Sequence, residues 1–236
     1  MRTLLPQRTL VEQVYEAILS EISAGKFAPD CRLIQEELAE SLGVSRQPVQ
    51  QALLLLRSHG LLREAPGRGL MVAPLDTEYV RNLYEVRGVL DGLGSAKAAE
   101  RGCEIARKEG PAFIARGRAA VESRSIARMI TTDMDFHFFL YGLSGNPLVA
   151  ESTAPHWGYL RRVMGEVLLR GETPSQIWDQ HEGILDAVIA ADAPAAERLA
   201  RAHISHASAA LSARLSESTA DASPRRSTSR RAKSRR

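Results

Sequence analysis

Residues 38–62 read LAESLGVSRQPVQQALLLLRSHGLL, and this stretch decides the fold. Leu38 lies inward on a short helix from about Gln35 to Leu42, and Gly43 stops it as a C-terminal glycine does. Ser45 then caps a new helix, with Val49, Leu53 and Leu56 on one face and Gly60 at its end. Pro48 falls in the first turn, where a missing N–H costs little. Upstream, Thr9 caps a helix in which Val11, Val14, Tyr15, Ile18, Leu19 and Ile22 recur at helical spacing until Gly25. Phe27–Leu33 contains Pro29 and Asp30 and reads as a turn. Downstream, residues 61–74, LLREAPGRGLMVAP, place two short apolar runs around Pro66-Gly67-Arg68-Gly69, the pattern of a β-hairpin. Three short helices and a hairpin form the layout of a winged helix-turn-helix, whose third helix enters the DNA major groove. Small helical bundles with a glycine turn give the same bare pattern.

The chain has 236 residues, enough for one large or two modest domains. Hydrophobic residues are 44% and charged residues 25%, so a core can be buried, while aromatics at 5% favour helices over aromatic-rich sheets. No run approaches the roughly 20 apolar residues of a membrane span, and charges interrupt the N-terminus too early for a secretory signal. Cys31 and Cys103 are too few for a disulfide scaffold. These features predict a soluble, cytoplasmic protein. Its net charge of +3 is an uneven average. Arg225, Arg226, Arg230, Arg231, Lys233, Arg235 and Arg236 crowd the C-terminus. Setting those seven aside from the 31 Lys and Arg leaves 24 against 28 Asp and Glu. Residues 216–236 read as a disordered basic tail, either a nonspecific phosphate binder or a solvated end.

From Thr77 onward the pattern is helical, over roughly 77–101, 104–122, 125–143, 147–170, 174–191 and 194–215. The breaks fall at Gly102, Ser123, Ser144–Pro147, Gly171 and Asp192–Pro194, and Gly110-Pro111 interrupts the second segment. The expectation is a mainly α protein: a winged helix-turn-helix of three helices and a hairpin over 1–75, then an antiparallel all-α bundle of about six helices over 76–215. Asp133 and His137, spaced i,i+4, sit one turn apart on one helix face, close enough to grip one ion. His181 and His203 lie on two later helices that an antiparallel turn at Pro194 would bring together. One carboxylate and three imidazoles suit a divalent Zn, Ni, Mn or Fe ion. The same residues also fit the ordinary role of histidines packed in a helical core.

The segment 38–62 resembles the DNA-binding domain of GntR-family bacterial transcription regulators, over about 65 residues from Val14 to Pro74. That resemblance assigns Ser45, Arg46, Gln47, Pro48 and Gln50 to the start of the recognition helix and Gly69 to the wing. Arg46 is long enough for a bidentate guanine contact, and Ser45 suits a phosphate. The family often has arginine where Gln50 stands. Glutamine pairs best with adenine, so the expected operator departs from the usual half-site at that base.

Residues 76–215 resemble the FCD ligand-sensing domain of the FadR subfamily. The resemblance rests on DMDFHFFLYGLSGN (133–146) and HEGILDAVIAADAPAAERLARAH (181–203). In metal-binding members, an Asp-x3-His pair and two later histidines hold a divalent ion, which implies Asp133, His137, His181 and His203 here. His156 and His206 match no ligand position. Leu83–Arg87 resembles the first sensor helix, where an arginine faces the pocket, so Arg87 would bind an effector carboxylate. The alternative for Arg87 is a surface pair with Asp91. The spacing of Arg161 and Arg162 decides nothing. Together these readings imply a homodimeric, ligand-responsive regulator, most simply a repressor. Its partners would be a double-stranded DNA operator and a small organic acid, with no membrane involved. Two alternatives stay open: a metal-free sensor of acyl ligands, and a metal-dependent hydrolase with a DNA-binding appendage. Against the hydrolase, the chain has no nucleophile elbow or phosphate loop.

Overall fold

A computed structural model describes residues 9–169 and 174–221. Helix α1 (Leu10–Ser23) begins at Thr9, whose hydroxyl accepts from the Glu12 N–H while the Glu12 carboxylate accepts from the Thr9 N–H. This reciprocal box satisfies two of the amides that every helix start leaves over. Helix α2 (Gln35–Leu42) ends at Gly43, whose φ of 65° is the left-handed conformation glycine adopts without a Cβ penalty. Helix α3 (Arg46–Ser58) starts from Ser45 and buries Val49, Leu53 and Leu56 against α1. Each fully buried aliphatic side chain of this kind contributes roughly 1.5–3 kcal/mol.

The hairpin is present as β2 (Leu62–Glu64) and β3 (Leu70–Val72), antiparallel, with Leu62 opposite Val72 and Glu64 opposite Leu70. The turn reading of Phe27–Leu33 holds only in part. Its last two residues form β1 (Arg32–Leu33), which pairs with the far edge of β3 and makes a three-stranded sheet in the order β1-β3-β2. A two-residue strand is too short to show alternation, so its pairing is set by tertiary contacts alone. Arg32 also ties down the wing tip, its guanidinium donating to the Pro66 and Arg68 carbonyls at 2.8 and 2.6 Å.

The rest of the described chain is helical: α4 (Thr77–Glu122), α5 (Ile126–Leu143), α6 (Pro147–Thr153), α7 (Trp157–Leu169), α8 (Pro174–Ile189) and α9 (Ala193–Asp221). Six helices were expected here, but the cuts fall elsewhere. The predicted break at Gly102 and the interruption at Gly110-Pro111 are absent, and α4 runs through both for 46 residues. Its glycines are packing notches. A methyl group on Gly102 would lie 2.8 Å from Leu143, on Gly110 2.5 Å from Leu185, and on Gly117 2.0 Å from the Trp178 ring. The close approach of α5 and α8 keeps α4 continuous and outweighs the proline's lost hydrogen bond. Conversely, the predicted 147–170 helix divides into α6 and α7 at a 3₁₀ turn, Ala154–His156, containing Pro155. Helix α9 extends to Asp221, past the expected end at 215. The break expected at Gly171 and the basic residues from Arg225 onward lie outside the described residues. Among the described residues, no helix is long and apolar enough to cross a membrane.

The head and the bundle share a core. Val14, Ile18, Leu19 and Leu61 of the head pack in one cluster with Trp157, Tyr159, Leu160 and Val163. Helix α7 lies against α1 because two of its positions have no side chain. A methyl on Gly165 would sit 1.9 Å from the Ser23 carbonyl oxygen, and one on Gly158 2.6 Å from the Tyr15 hydroxyl. Arg161 forms an ion pair with Glu16 across this contact, and the Asp76 N–H donates to the Tyr159 hydroxyl at 3.0 Å.

Gly117→Ala tests the notch reading. Alanine is a better helix former by about 1 kcal/mol, so a solvent-facing position would gain stability. Here we expect a loss of about 1–3 kcal/mol from overpacking against Trp178, read by urea denaturation.

Candidate functional site

Two surfaces carry chemistry, and the head supplies the first. Ser45, Arg46, Gln47 and Gln50 are exposed at the start of α3, and the Ser45 side chain makes no capping bond, which leaves its hydroxyl available to a phosphate. Arg46 pairs with Glu36 of α2 at 3.0 Å, an exposed contact worth little that a base edge can replace. Pro48 is buried. It shapes the first turn of the helix instead of facing outward with its neighbours. Gln50 and Gly69 line a common groove between α3 and the wing, along with Arg57 and Arg68. Gly69 has φ of 93°, so the wing tip depends on glycine there.

The second site lies inside the bundle. All four predicted ligands come together, from three helices. Asp133 and His137 stand one turn apart on α5, His181 on α8 and His203 on α9. The ligating nitrogens of the three histidines lie within 4.8 Å of one another. Asp133 Oδ1 is 3.5 Å from His181 Nε2, and its Oδ2 is 3.7 Å from His137 Nε2. The α8–α9 connection, which turns on Ala191 at φ 56°, brings His181 Nε2 and His203 Nε2 to 3.2 Å.

Neighbouring side chains set which nitrogen of two of these rings carries the proton. His137 Nδ1 is 2.7 Å from Asp91 Oδ1, so it donates there and Nε2 is the nitrogen turned toward Asp133. His203 Nδ1 is 2.8 Å from Gln180 Oε1, which can only accept, so its Nε2 is the nitrogen turned toward His181 Nε2. Such outer partners orient metal-binding imidazoles. Burial, reinforced by the neighbouring imidazoles, pushes the pKa of His181 and of His203 well below the usual histidine value, so both are neutral at neutral pH. Burial also raises the Asp133 carboxyl. A cation between these four groups would oppose that burial cost. The buried Nε2 of His137 has no hydrogen-bond partner. Three imidazoles, one carboxylate and an unpartnered His137 Nε2 fit a divalent ion of the Zn, Ni, Mn or Fe type.

Arg87 is not on the surface. It is 4% exposed and Asp91 2% exposed, their side chains meeting at 3.2 Å, with the guanidinium 4.8 Å from the Trp157 ring. Burial alone would raise the Asp91 carboxyl, but the Arg87 charge and the contact with His137 outweigh it and hold its pKa at about 2. One Arg87 nitrogen, Nη2, remains buried without a hydrogen-bond partner. Arg87, Asp133, His203 and Gln180 all line a cavity of about 490 Å³, a volume suited to a small molecule. Arg161 and Arg162 do not line it, whereas His206 does. Sequence reading missed Asp91 as an inward group, along with Gln180 and Trp178. The signal for Asp91 was available: it shares the buried face of α4 with Tyr84, Arg87, Ser95 and Ala98.

Comparison with known proteins gives two family matches. Residues 10–72 match the bacterial regulatory proteins of the gntR family, and residues 82–206 match the FCD domain. An uncharacterized HTH-type transcriptional regulator in an unstable DNA locus of Streptomyces ambofaciens is 30% identical over 199 residues, covering 84% of this chain and 83% of that one. The HTH-type transcriptional repressor RspR of Escherichia coli K12 is 25% identical over 199 residues, covering 84% of this chain and 87% of its own. Among solved structures, E. coli McbR/YncC superposes with a TM-score of 0.75 at 24% identity, over 89% of this chain and all of that one. At that identity the likeness shows a shared fold.

Asp91→Asn tests whether that carboxylate supports the site. It would leave the Arg87 guanidinium buried without a balancing charge. The expected cost is roughly 3–5 kcal/mol of stability, measured by denaturant unfolding of the full chain.

Proposed function

Because the chain belongs to the gntR family of bacterial regulatory proteins and joins a helix-turn-helix head to an FCD domain, it is a transcriptional regulator and not an enzyme, and we propose that it is a homodimeric repressor governed by a divalent metal ion and a carboxylic acid effector. One observation carries the metal-and-acid reading. At one site the buried His137 Nε2, His181 Nδ1 and Arg87 Nη2 all lack hydrogen-bond partners; a cation among the imidazoles and an anion on the guanidinium would engage the first and the last of them. A metal-bound carboxylate answers both.

In this reading Asp133, His137, His181 and His203 hold the ion, which when bound offers a Lewis-acidic seat for a carboxylate oxygen. Arg87 donates from Nη2 to the same carboxylate. Asp91 keeps Arg87 and His137 in place at once, because its two oxygens contact one each. The repressor assignment draws on the name of the E. coli relative RspR, and the dimer on symmetry. Each head reads one half-site, so two heads related by a two-fold axis match a palindromic operator.

Helix α7 links the two sites. Trp157 covers Arg87 and stands 6.0 Å from the His137 ring, while Gly158, Arg161 and Gly165 of the same helix meet α1 of the head. A ligand that draws Arg87 inward acts on Trp157, and a shift of α7 is passed directly to α1. Couplings of this type amount to about 1–3 kcal/mol, or roughly 5–150-fold in operator affinity.

Two variants separate the parts of this account. His181→Ala is expected to lose bound metal by elemental analysis and to lose the ligand response, while still binding operator DNA. Unchanged metal content and response would contradict the ligand set. Arg161→Ala removes the ion pair to Glu16. It should change the effector's influence on operator affinity severalfold in fluorescence anisotropy and leave the effector's own affinity unchanged.

A further inference from the structure

We infer that the effector is an amphiphilic carboxylate, with its head on the Arg87 and histidine cluster and an unbranched apolar chain in a methionine-lined chamber one helical turn away. This rests on the proposed function, which gives the carboxylate but not the body it carries. Arg87, Asp133, His203 and Gln180 give the cavity a polar end, Tyr84, Gln176 and His206 add further polar lining, and each of the three ligand-bearing helices continues into the cavity with an apolar residue. Met129 precedes Asp133 by four positions on α5, Ile177 precedes His181 by four on α8, and Ala207 follows His203 by four on α9. A step of four residues is about one turn, roughly 5.4 Å along the axis. Because α8 and α9 are joined by a short turn, moving backward along one and forward along the other leads toward the same end. The three residues therefore form one layer, and Met164 and Leu168 of α7 close it from the side.

That layer suits hydrocarbon. Two methionines give an adaptable, polarizable wall that fits an unbranched chain in several conformations. Ala207 and Ala210 keep the α9 wall low and create the space. Among the remaining polar lining residues, Tyr84 and Gln176 are already engaged in interactions, and Gln176 and His206 are exposed, so they can remain in water at the rim. A hydroxylated chain would leave its hydroxyls in the apolar layer without partners, at a loss of roughly tenfold or more for each. Hydroxy acids and sugar acids are therefore disfavoured.

Tryptophan fluorescence of the full-length zinc-loaded protein reads binding directly, since the two tryptophans of the chain flank the site, Trp178 in the cavity wall and Trp157 on Arg87. Acetate, butanoate, hexanoate and octanoate form the test series, with gluconate as the hydroxylated control. Affinity should rise about fourfold per added methylene, the increment expected when each CH₂ is buried. Gluconate should bind more weakly than hexanoate. Ala207→Leu fills the chamber and leaves the head group's partners untouched, so it should weaken octanoate at least tenfold while preserving butanoate. Equal affinity across the series, or gluconate binding more tightly than octanoate, overturns the chamber assignment and leaves the carboxylate reading standing. Failure of every acid on protein that retains zinc overturns both. Octanoate binding equally well with zinc stripped would support the chamber and contradict the metal seat.

Discussion

One carboxylate organises the interior of the bundle. Asp91 is 2% exposed and has a positive guanidinium on one oxygen and a histidine N–H on the other. It balances the charge of Arg87, which would otherwise be buried alone, and it fixes the tautomer of His137. Buried ion pairs seldom add net stability, because desolvation offsets the attraction. The value of this pair is positional. Once Asp91 has satisfied Arg87 Nε and His137 Nδ1, Arg87 Nη2, His137 Nε2 and His181 Nδ1 remain buried in one site without hydrogen-bond partners.

The bundle meets the head through shape more than charge. Glycines at 158 and 165 let α7 approach α1 until Gly165 meets the Ser23 backbone and Gly158 the Tyr15 hydroxyl, so the two helices cannot slide past each other freely. The adjoining face of α7 carries Met164 and Leu168 into the cavity and Trp157 onto Arg87. A single 13-residue helix therefore touches both the ligand's surroundings and the first helix of the DNA-binding unit. Close packing transmits displacement because it lacks the free volume to absorb it.

The sequence made the local features readable and the tertiary ones obscure. Thr9, Gly43 and Gly60 mark the helix ends of the head because capping is settled within a few residues, and the structure places those ends where the signals stand. The four cluster residues were a loose set on helical spacing. The family resemblance singled them out, and the α8–α9 turn brings His181 and His203 side by side. The long α4 was misread because a glycine in a helix has the same local signature whether it ends the helix or admits a neighbour. At Gly102, Gly110 and Gly117 the neighbours Leu143, Leu185 and Trp178 decide, and all three are distant in sequence. Strand β1 was hidden for a similar reason, since two residues pair only because β3 offers an edge. Asp91 passed for a surface partner of Arg87 because a charged i,i+4 pair usually faces water, although the buried face of α4 contained it.

The central claim is that the histidine cluster binds an ion and the ion is open to a carboxylate. X-ray absorption at the zinc edge of the zinc-reconstituted full chain tests this most directly. We expect a nitrogen and oxygen shell with the multiple scattering of several imidazoles, altered when an aliphatic carboxylate is added. A spectrum of hydrated zinc, or one with sulfur from Cys31 or Cys103 in the shell, would contradict it.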